Sequence, residues 1–193
     1  MSFYIFARET VRTLLKPFYR IEVIGQENVP KNDPVIICSN HIDNLDPPVV
    51  GITVERPVHF MAKEELFKVP VLGKLISKTN AFPVKRGMSD REALRKAMKI
   101  LKDNEVLGLF PEGTRSKDGK LGKGLAGAGF FALRSNAVVI PCAIIGPYKI
   151  FGKIKVVYGQ PIEMDHLRQE KASAETVTEH IMAGIQQLLE KNI

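Results

Sequence analysis

An α/β domain built on a mostly parallel central sheet is what this 193-residue sequence specifies, with helices flanking the sheet and an amphipathic helix at the N-terminus. Three observations lead there. Continuous apolar runs of strand length recur along the chain beside Pro or Gly, as expected of strands buried on both faces. Segments with helical apolar spacing lie between them, and that alternation belongs to layered α/β structures. The length is close to one domain of roughly 150 residues. Its 45% apolar and 25% charged residues are the balance of a globular chain with its own core.

Residues 3–20 open the chain as a helix. Ala7, Val11, Leu14, Leu15 and Phe18 recur three and four apart, while Arg8, Arg12, Lys16 and Arg20 form a basic i, i+4 row. Phe3, Tyr4, Ile5 and Phe6 add an apolar tip. Such a helix suits a membrane interface; the alternative is a helix packed on its own domain with its arginines in solvent. Strands are expected at Val35–Cys38, Val58–Met61, Val106–Phe110, Val138–Ile140 and Ile154–Tyr158. Ser89 and Glu92 read as a capping box opening a helix whose stripe is Leu94, Ala97, Met98 and Leu101. A Gly- and Ala-rich helix is expected from Lys123 to Ser135. The last helix is expected to start near Thr176 and to bury Val177, Ile181, Ile185, Leu188 and Leu189.

Several classes fall away. Charge-free runs such as Ala137–Tyr148 are well short of the roughly 18–20 residues of a spanning helix, so a polytopic membrane protein is excluded. Cys38 and Cys142 stand far apart with no Cys-x-x-Cys, which excludes a disulfide scaffold and leaves a metal or redox site without support. The N-terminus has no signal-peptide layout, so a cytosolic chain with reduced thiols is expected. The net charge of +7 sits in the middle third: residues 60–125 hold fifteen Lys/Arg against eight Asp/Glu. That field suits an anionic partner such as a phosphate ester, an anionic lipid or a nucleic acid.

Four blocks carry chemistry. In the first, Ser39-Asn40-His41-Ile42-Asp43-Asn44-Leu45-Asp46 follows a strand, where open α/β sheets hold their ligands. If Leu45 onward is helical, His41 can lean on Asp46; a carboxylate on one imidazole nitrogen leaves the other as a base. Cys38 stands three residues before His41, but within a strand it need not face it. In the second, Lys85 and Arg86 precede Gly87 and a capped helix, a plausible phosphate clasp because Arg offers a fork of donors and the helix start adds its dipole. In the third, Phe110-Pro111-Glu112-Gly113-Thr114-Arg115-Ser116 again follows a strand. Glu112 can accept from a substrate hydroxyl or orient Arg115, Gly113 permits close backbone approach, and Arg115 can bind an oxyanion. In the fourth, Val139-Ile140-Pro141-Cys142-Ala143, Pro141 suggests a bulge or edge within a core strand.

In this order and spacing the blocks resemble the glycerolphosphate acyltransferase superfamily, and most closely the bacterial 1-acylglycerol-3-phosphate acyltransferases. Asn40-His41 through Asp46 is similar to the family's NHxxxxD block. Phe82 to Arg86 is similar to its second block, Phe110 to Ser116 to its FPEGTRS block in full, and Ile140-Pro141 to its fourth. The segment from Lys63-Glu64-Glu65-Leu66-Phe67 to Gly73 also resembles the family, and the likeness covers about residues 20–165.

The resemblance implies transfer of a fatty acyl group to the free hydroxyl of a lysophosphatidic acid, giving phosphatidic acid. His41 would take the hydroxyl proton and Asp46 would hold His41. Lys85, Arg86 and Arg115 would bind the phosphate, and Glu112, Gly113 and Thr114 would shape the acceptor site. Backbone amides near His41 or Gly113 are candidates for the oxyanion. The donor would be acyl-CoA or an acyl carrier protein thioester, as a co-substrate, with no cofactor and no metal required. Residues 1–20 would attach the domain, 21–193, to one leaflet at the cytoplasmic face of the cell membrane. Glycerol 3-phosphate or another lysophospholipid is the alternative acceptor. A nucleic-acid binder would explain the basic third but not the His-Asp pair, and the chain has no Trp. A membrane adaptor without catalysis would leave the filled catalytic positions unexplained.

Overall fold

Strands and helices mostly alternate along the chain, and a long connection between Leu109 and Gly127 carries the third block. The computed structural model describes residues 3–85 and 90–192. Helix α1 (Phe3–Leu15) leads to β1 (Arg20–Ile24), then β2 (Val35–Ser39), α2 (Asp46–Thr53) and β3 (Val58–Lys63). Two short helices, α3 (Glu64–Phe67) and α4 (Leu72–Lys78), precede β4 (Phe82–Val84). Then come α5 (Arg91–Lys102), β5 (Val106–Leu109), α6 (Gly127–Arg134), β6 (Val138–Ile145), β7 (Lys153–Tyr158), α7 (Asp165–Gln169) and α8 (Ala174–Asn192).

One seven-stranded sheet runs β1-β7-β6-β2-β5-β3-β4. The five strands from β6 to β4 are mutually parallel. β7 turns back antiparallel to β6, and β1 pairs parallel to β7. β2 and β5 are buried along their whole length, as continuous apolar runs require of central strands. Alternate side chains serve two cores: Ile36, Leu107 and Val139 face α5, α6 and α8, while Val35, Ile37, Val106 and Ile140 face the side where α2 packs. The chain leaving β2 enters α2 on one face, and the chain leaving β5 enters α6 on the other. The carboxyl ends of these adjacent strands therefore frame the switch point where such sheets open a crevice.

Two strands escape the sequence reading. β1 holds Arg20 and Glu22 and is only half-buried, so its apolar signal is weak; pairing with β7 makes it a strand. β4 is three residues long with Pro83 in the middle, which an edge strand tolerates. Pro141 makes no bulge. Its carbonyl accepts from Gly159 N–H at 2.8 Å, beyond the end of β7, so the missing N–H costs the β2 ladder nothing.

Helix starts also shift. Asp90 caps α5: its Oδ1 accepts from Glu92 N–H at 3.1 Å and Ala93 N–H at 3.0 Å. Ser89 lies outside the described residues. α6 begins at Gly127 rather than Lys123, because the preceding residues are tied to the third block through Gly122 and Leu125.

The N-terminal helix forms but ends at Leu15 rather than near residue 20, so its basic row divides: Lys16 lies beyond the helix and Arg20 opens β1. Tyr4 and Ala7 are buried, and the Tyr4 hydroxyl accepts from Val58 N–H at 3.0 Å. Arg8 donates to Glu55 O at 2.6 Å and Arg12 to Ile52 O at 2.6 Å, satisfying carbonyls at the end of α2. Phe3, Phe6 and Leu14 point outward instead. Among the described residues, no helix is long and apolar enough to cross a membrane.

Candidate active site

β2 ends at Ser39, and the next residue fastens the loop. Asn40 accepts from Ile144 N–H at 2.7 Å and donates to Ile144 O at 2.9 Å, a two-point clamp on neighbouring β6. His41 then leaves the sheet edge with its side chain mostly covered. Its ring stacks on Phe110 with centroids 4.2 Å apart, and Phe110 stacks on Phe60 at 5.7 Å. Phe60 lies over Gly108, where a Cβ would come within 2.2 Å of its ring. The spacing His41-x4-Asp46 has no information about this aromatic stack, whose members come from β3 and from the residue that follows β5.

Asp46 is the first residue of α2 and has no solvent exposure. Its Oδ2 meets His41 Nδ1 at 2.7 Å and also accepts from Ile42 N–H at 2.6 Å and Asp43 N–H at 2.8 Å. Its Oδ1 accepts from the Tyr148 hydroxyl at 2.8 Å. A carboxylate only accepts, so the His41 proton sits on Nδ1 and the Nε2 lone pair is left for chemistry. Pro47 and Pro48 fall in the first turn of α2, where no N–H is needed.

The third block locks onto the first. His41 N–H donates to Glu112 Oε1 at 2.9 Å, and Ser116 N–H donates to His41 O at 2.8 Å. Glu112 Oε2 accepts from Gly122 N–H at 2.8 Å. The buried carboxylate thus holds two main-chain amides and does not bond to Arg115. Gly113 turns the chain at φ +66°, and a Cβ there would meet Leu125 at 2.5 Å. The amides expected near the oxyanion are engaged: those of His41, Ile42 and Asp43 as above, and that of Gly113 with Phe110 O at 2.9 Å.

The cations stand apart from this core. Thr114 and Arg115 are exposed beside it. Lys85 is exposed at the end of β4, its N–H held by Asp90 Oδ2 at 2.9 Å. β4 lies two strands beyond β5, so the second block sits roughly 10 Å further along the same edge. Arg86 lies outside the described residues. The thiols are elsewhere: Cys38 and Cys142 are buried on opposite faces of the sheet, and burial pushes both up, Cys142 to about 12. Cys38 as a nucleophile is inconsistent with that environment.

A sequence model of the family described as Acyltransferase matches residues 20–145. The chain belongs to this acyltransferase family. Its acyltransferase relatives include a 1-acyl-sn-glycerol-3-phosphate acyltransferase of Bacillus subtilis, 30% identical over 97% of this chain and 98% of that one. A chloroplast 1-acyl-sn-glycerol-3-phosphate acyltransferase of Arabidopsis thaliana is 33% identical over 76% of this chain and 44% of that one. The chain thus spans less than half of the plant relative and nearly all of the bacterial one. Among solved structures, the 1-acyl-sn-glycerophosphate (LPA) acyltransferase PlsC of Thermotoga maritima aligns with a TM-score of 0.75 and 27% identity, over 96% of this chain and 80% of that one.

Proposed function

We propose that this acyltransferase moves a fatty acyl group from a thioester of coenzyme A or acyl carrier protein to the free hydroxyl of 1-acylglycerol 3-phosphate, giving phosphatidic acid for phospholipid synthesis. The observation that carries the reading is the His41 Nδ1–Asp46 Oδ2 contact of 2.7 Å, which leaves Nε2 free at the crevice of an α/β sheet. His41 Nε2 takes the hydroxyl proton as the oxygen attacks the thioester carbonyl. The C–S bond breaks, and the leaving thiolate takes that proton back from the imidazolium held by Asp46. No enzyme nucleophile is required, because the acyl group arrives activated.

Arg115 binds the acceptor phosphate together with Lys85, further along the same edge, and with Arg86, the next residue in the sequence. Gly113 and Thr114 shape the acceptor site, and Glu112 supports it by fixing the loop of His41. A relative named for the same acceptor, aligned across nearly the full chain, favours this substrate over glycerol 3-phosphate.

The enzyme works as a peripheral protein on the cytoplasmic face of the membrane. Its contact is the outer face of α1, with Phe3, Phe6 and Leu14 exposed, continued by Phe18. Phe151 N–H donates to Phe18 O at 2.7 Å, which brings the exposed Ile150 and Phe151 beside that face. Lys16 and Arg20 remain for anionic headgroups.

The test is to incubate purified protein with 1-acylglycerol 3-phosphate and either thioester, and to identify the lipid by mass spectrometry. Phosphatidic acid is expected. Acylation of glycerol 3-phosphate alone would move the acceptor assignment, and no acylated product would overturn the reading.

A further inference from the structure

We propose that Tyr148 is a positioning residue of this site, holding Asp46 in the orientation that serves His41; the role rests on the acyl-transfer reading above. None of the four sequence blocks includes it. It comes from the turn after β6, 102 residues from Asp46 along the chain. All three donors to Asp46 Oδ2 belong to the loop just before α2. The Tyr148 hydroxyl is the contact that fixes the other oxygen, Oδ1, at 2.8 Å. Its ring is itself held, edge-on to Tyr19 with centroids 5.8 Å apart.

The direction of this hydrogen bond follows from the surroundings. Burial first, then the negative charge of Asp46, push the phenol far above its ordinary value, so it stays protonated and donates. Asp43 and Tyr19 are the other titratable groups beside it. Without the donor, Oδ1 becomes a buried acceptor with no protein partner among the described residues. The carboxylate can then turn and divide its contacts, and His41 no longer has a single tautomer imposed on it. Tyr148 therefore acts through Asp46 and His41, without touching substrate.

The test is Tyr148→Phe, which removes only the hydroxyl. On detergent-dispersed 1-acylglycerol 3-phosphate and acyl-CoA, kcat is expected to fall about 5- to 30-fold, with each KM changed less than about twofold. In an Asp46→Ala background the same substitution is expected to change kcat by less than about twofold, since the carboxylate it holds is gone. Equal losses in both backgrounds would mean a general structural effect and would overturn the proposal. A second readout needs no turnover. The His41 ring nitrogens are followed by 15N NMR, assigned by their loss in His41→Ala. Their shifts are expected to move from a single Nδ1–H tautomer towards a mixture in Tyr148→Phe. An unchanged His41 spectrum overturns the proposal even if the wild-type protein fails to acylate this acceptor, a failure that would count against the substrate assignment alone.

Discussion

Glu112 and His41 are joined through the main chain: the Glu112 carboxylate accepts from the His41 N–H at 2.9 Å and spans to Gly122 N–H at 2.8 Å with its other oxygen. A residue of the third block therefore sets where the first block begins. Its side chain is 8% exposed, so neither amide has water as a ready substitute.

Glu112→Gln places an amide NH2 where one of two N–H donors must be accepted. A buried donor left without a partner costs about 1–3 kcal/mol. The melting temperature is expected to drop by a few degrees, and kcat to fall about 10- to 100-fold as the His41 loop shifts. Calorimetry and steady-state kinetics on one preparation check both. A stable variant with unchanged kcat would remove Glu112 from the support of His41.

His41→Ala is expected to lower turnover by about 100- to 10,000-fold, the usual contribution of a general base, with the fold retained. Asp46→Asn is expected to cost as much or less, because the base survives in a poorer orientation. Circular dichroism verifies the fold, and product quantified by mass spectrometry measures the rate. Near-normal turnover of His41→Ala contradicts the mechanism.

Arg115→Ala and Arg86→Ala are each expected to reduce kcat/KM for 1-acylglycerol 3-phosphate by about 10- to 150-fold, the worth of a charge-assisted hydrogen bond. Lysine at either position recovers only part, since it lacks the planar fork. The comparison is a phosphate-free monoacylglycerol acceptor, whose slower rate should not fall further. Equal losses on both acceptors would place these arginines elsewhere.

Phe6→Ser, Phe18→Ser and Phe151→Ser together are expected to weaken vesicle binding by tenfold or more, since a fully buried aromatic contributes about 1.5–3 kcal/mol. All three are exposed, Phe151 by 74%, so the fold should hold. Deletion of residues 1–20 is a poorer test, because it also removes Tyr4 from the core and Arg8 and Arg12 from α2. Co-sedimentation with anionic and neutral vesicles at low and high salt measures the effect. Salt should release only part of the wild type, because apolar contact is not screened. Unaltered binding of the triple variant assigns the contact to another surface.

Cys142 supplies a pH test of the core. Its thiol rises from an ordinary 9.0 to about 12 on burial, so the unfolded chain loses that proton first. The stability contributed by the neutral thiol is complete below pH 9 and is lost as pH rises towards 12, by about 1.4 kcal/mol per unit for one group. Urea unfolding at pH 8 and pH 10.5 should show the decline, and Cys142→Ala should lessen it. Cys38→Ala should keep turnover within about twofold; a large loss would reopen a covalent mechanism.

Residue order alone was enough for the layered α/β class and for placing the His41 and Glu112 blocks after strands, because buried parallel strands need apolar runs and their ligands collect at carboxyl ends. It was enough to pair His41 with Asp46, five residues on, which opens the helix that follows the His41 loop. Contacts made across long separations were settled only by folding. Tyr148 reaches Asp46 because β6 lies beside β2, and Phe60 reaches the His41 stack through its place over Gly108. The capping of α5 by Asp90 turned on which side chain met the free amides. The basic row of α1 shows the limit most clearly. Its spacing is the same on a membrane or on a domain, and it was the unpaired carbonyls at the end of α2 that drew Arg8 and Arg12 inward and left the phenylalanines outside.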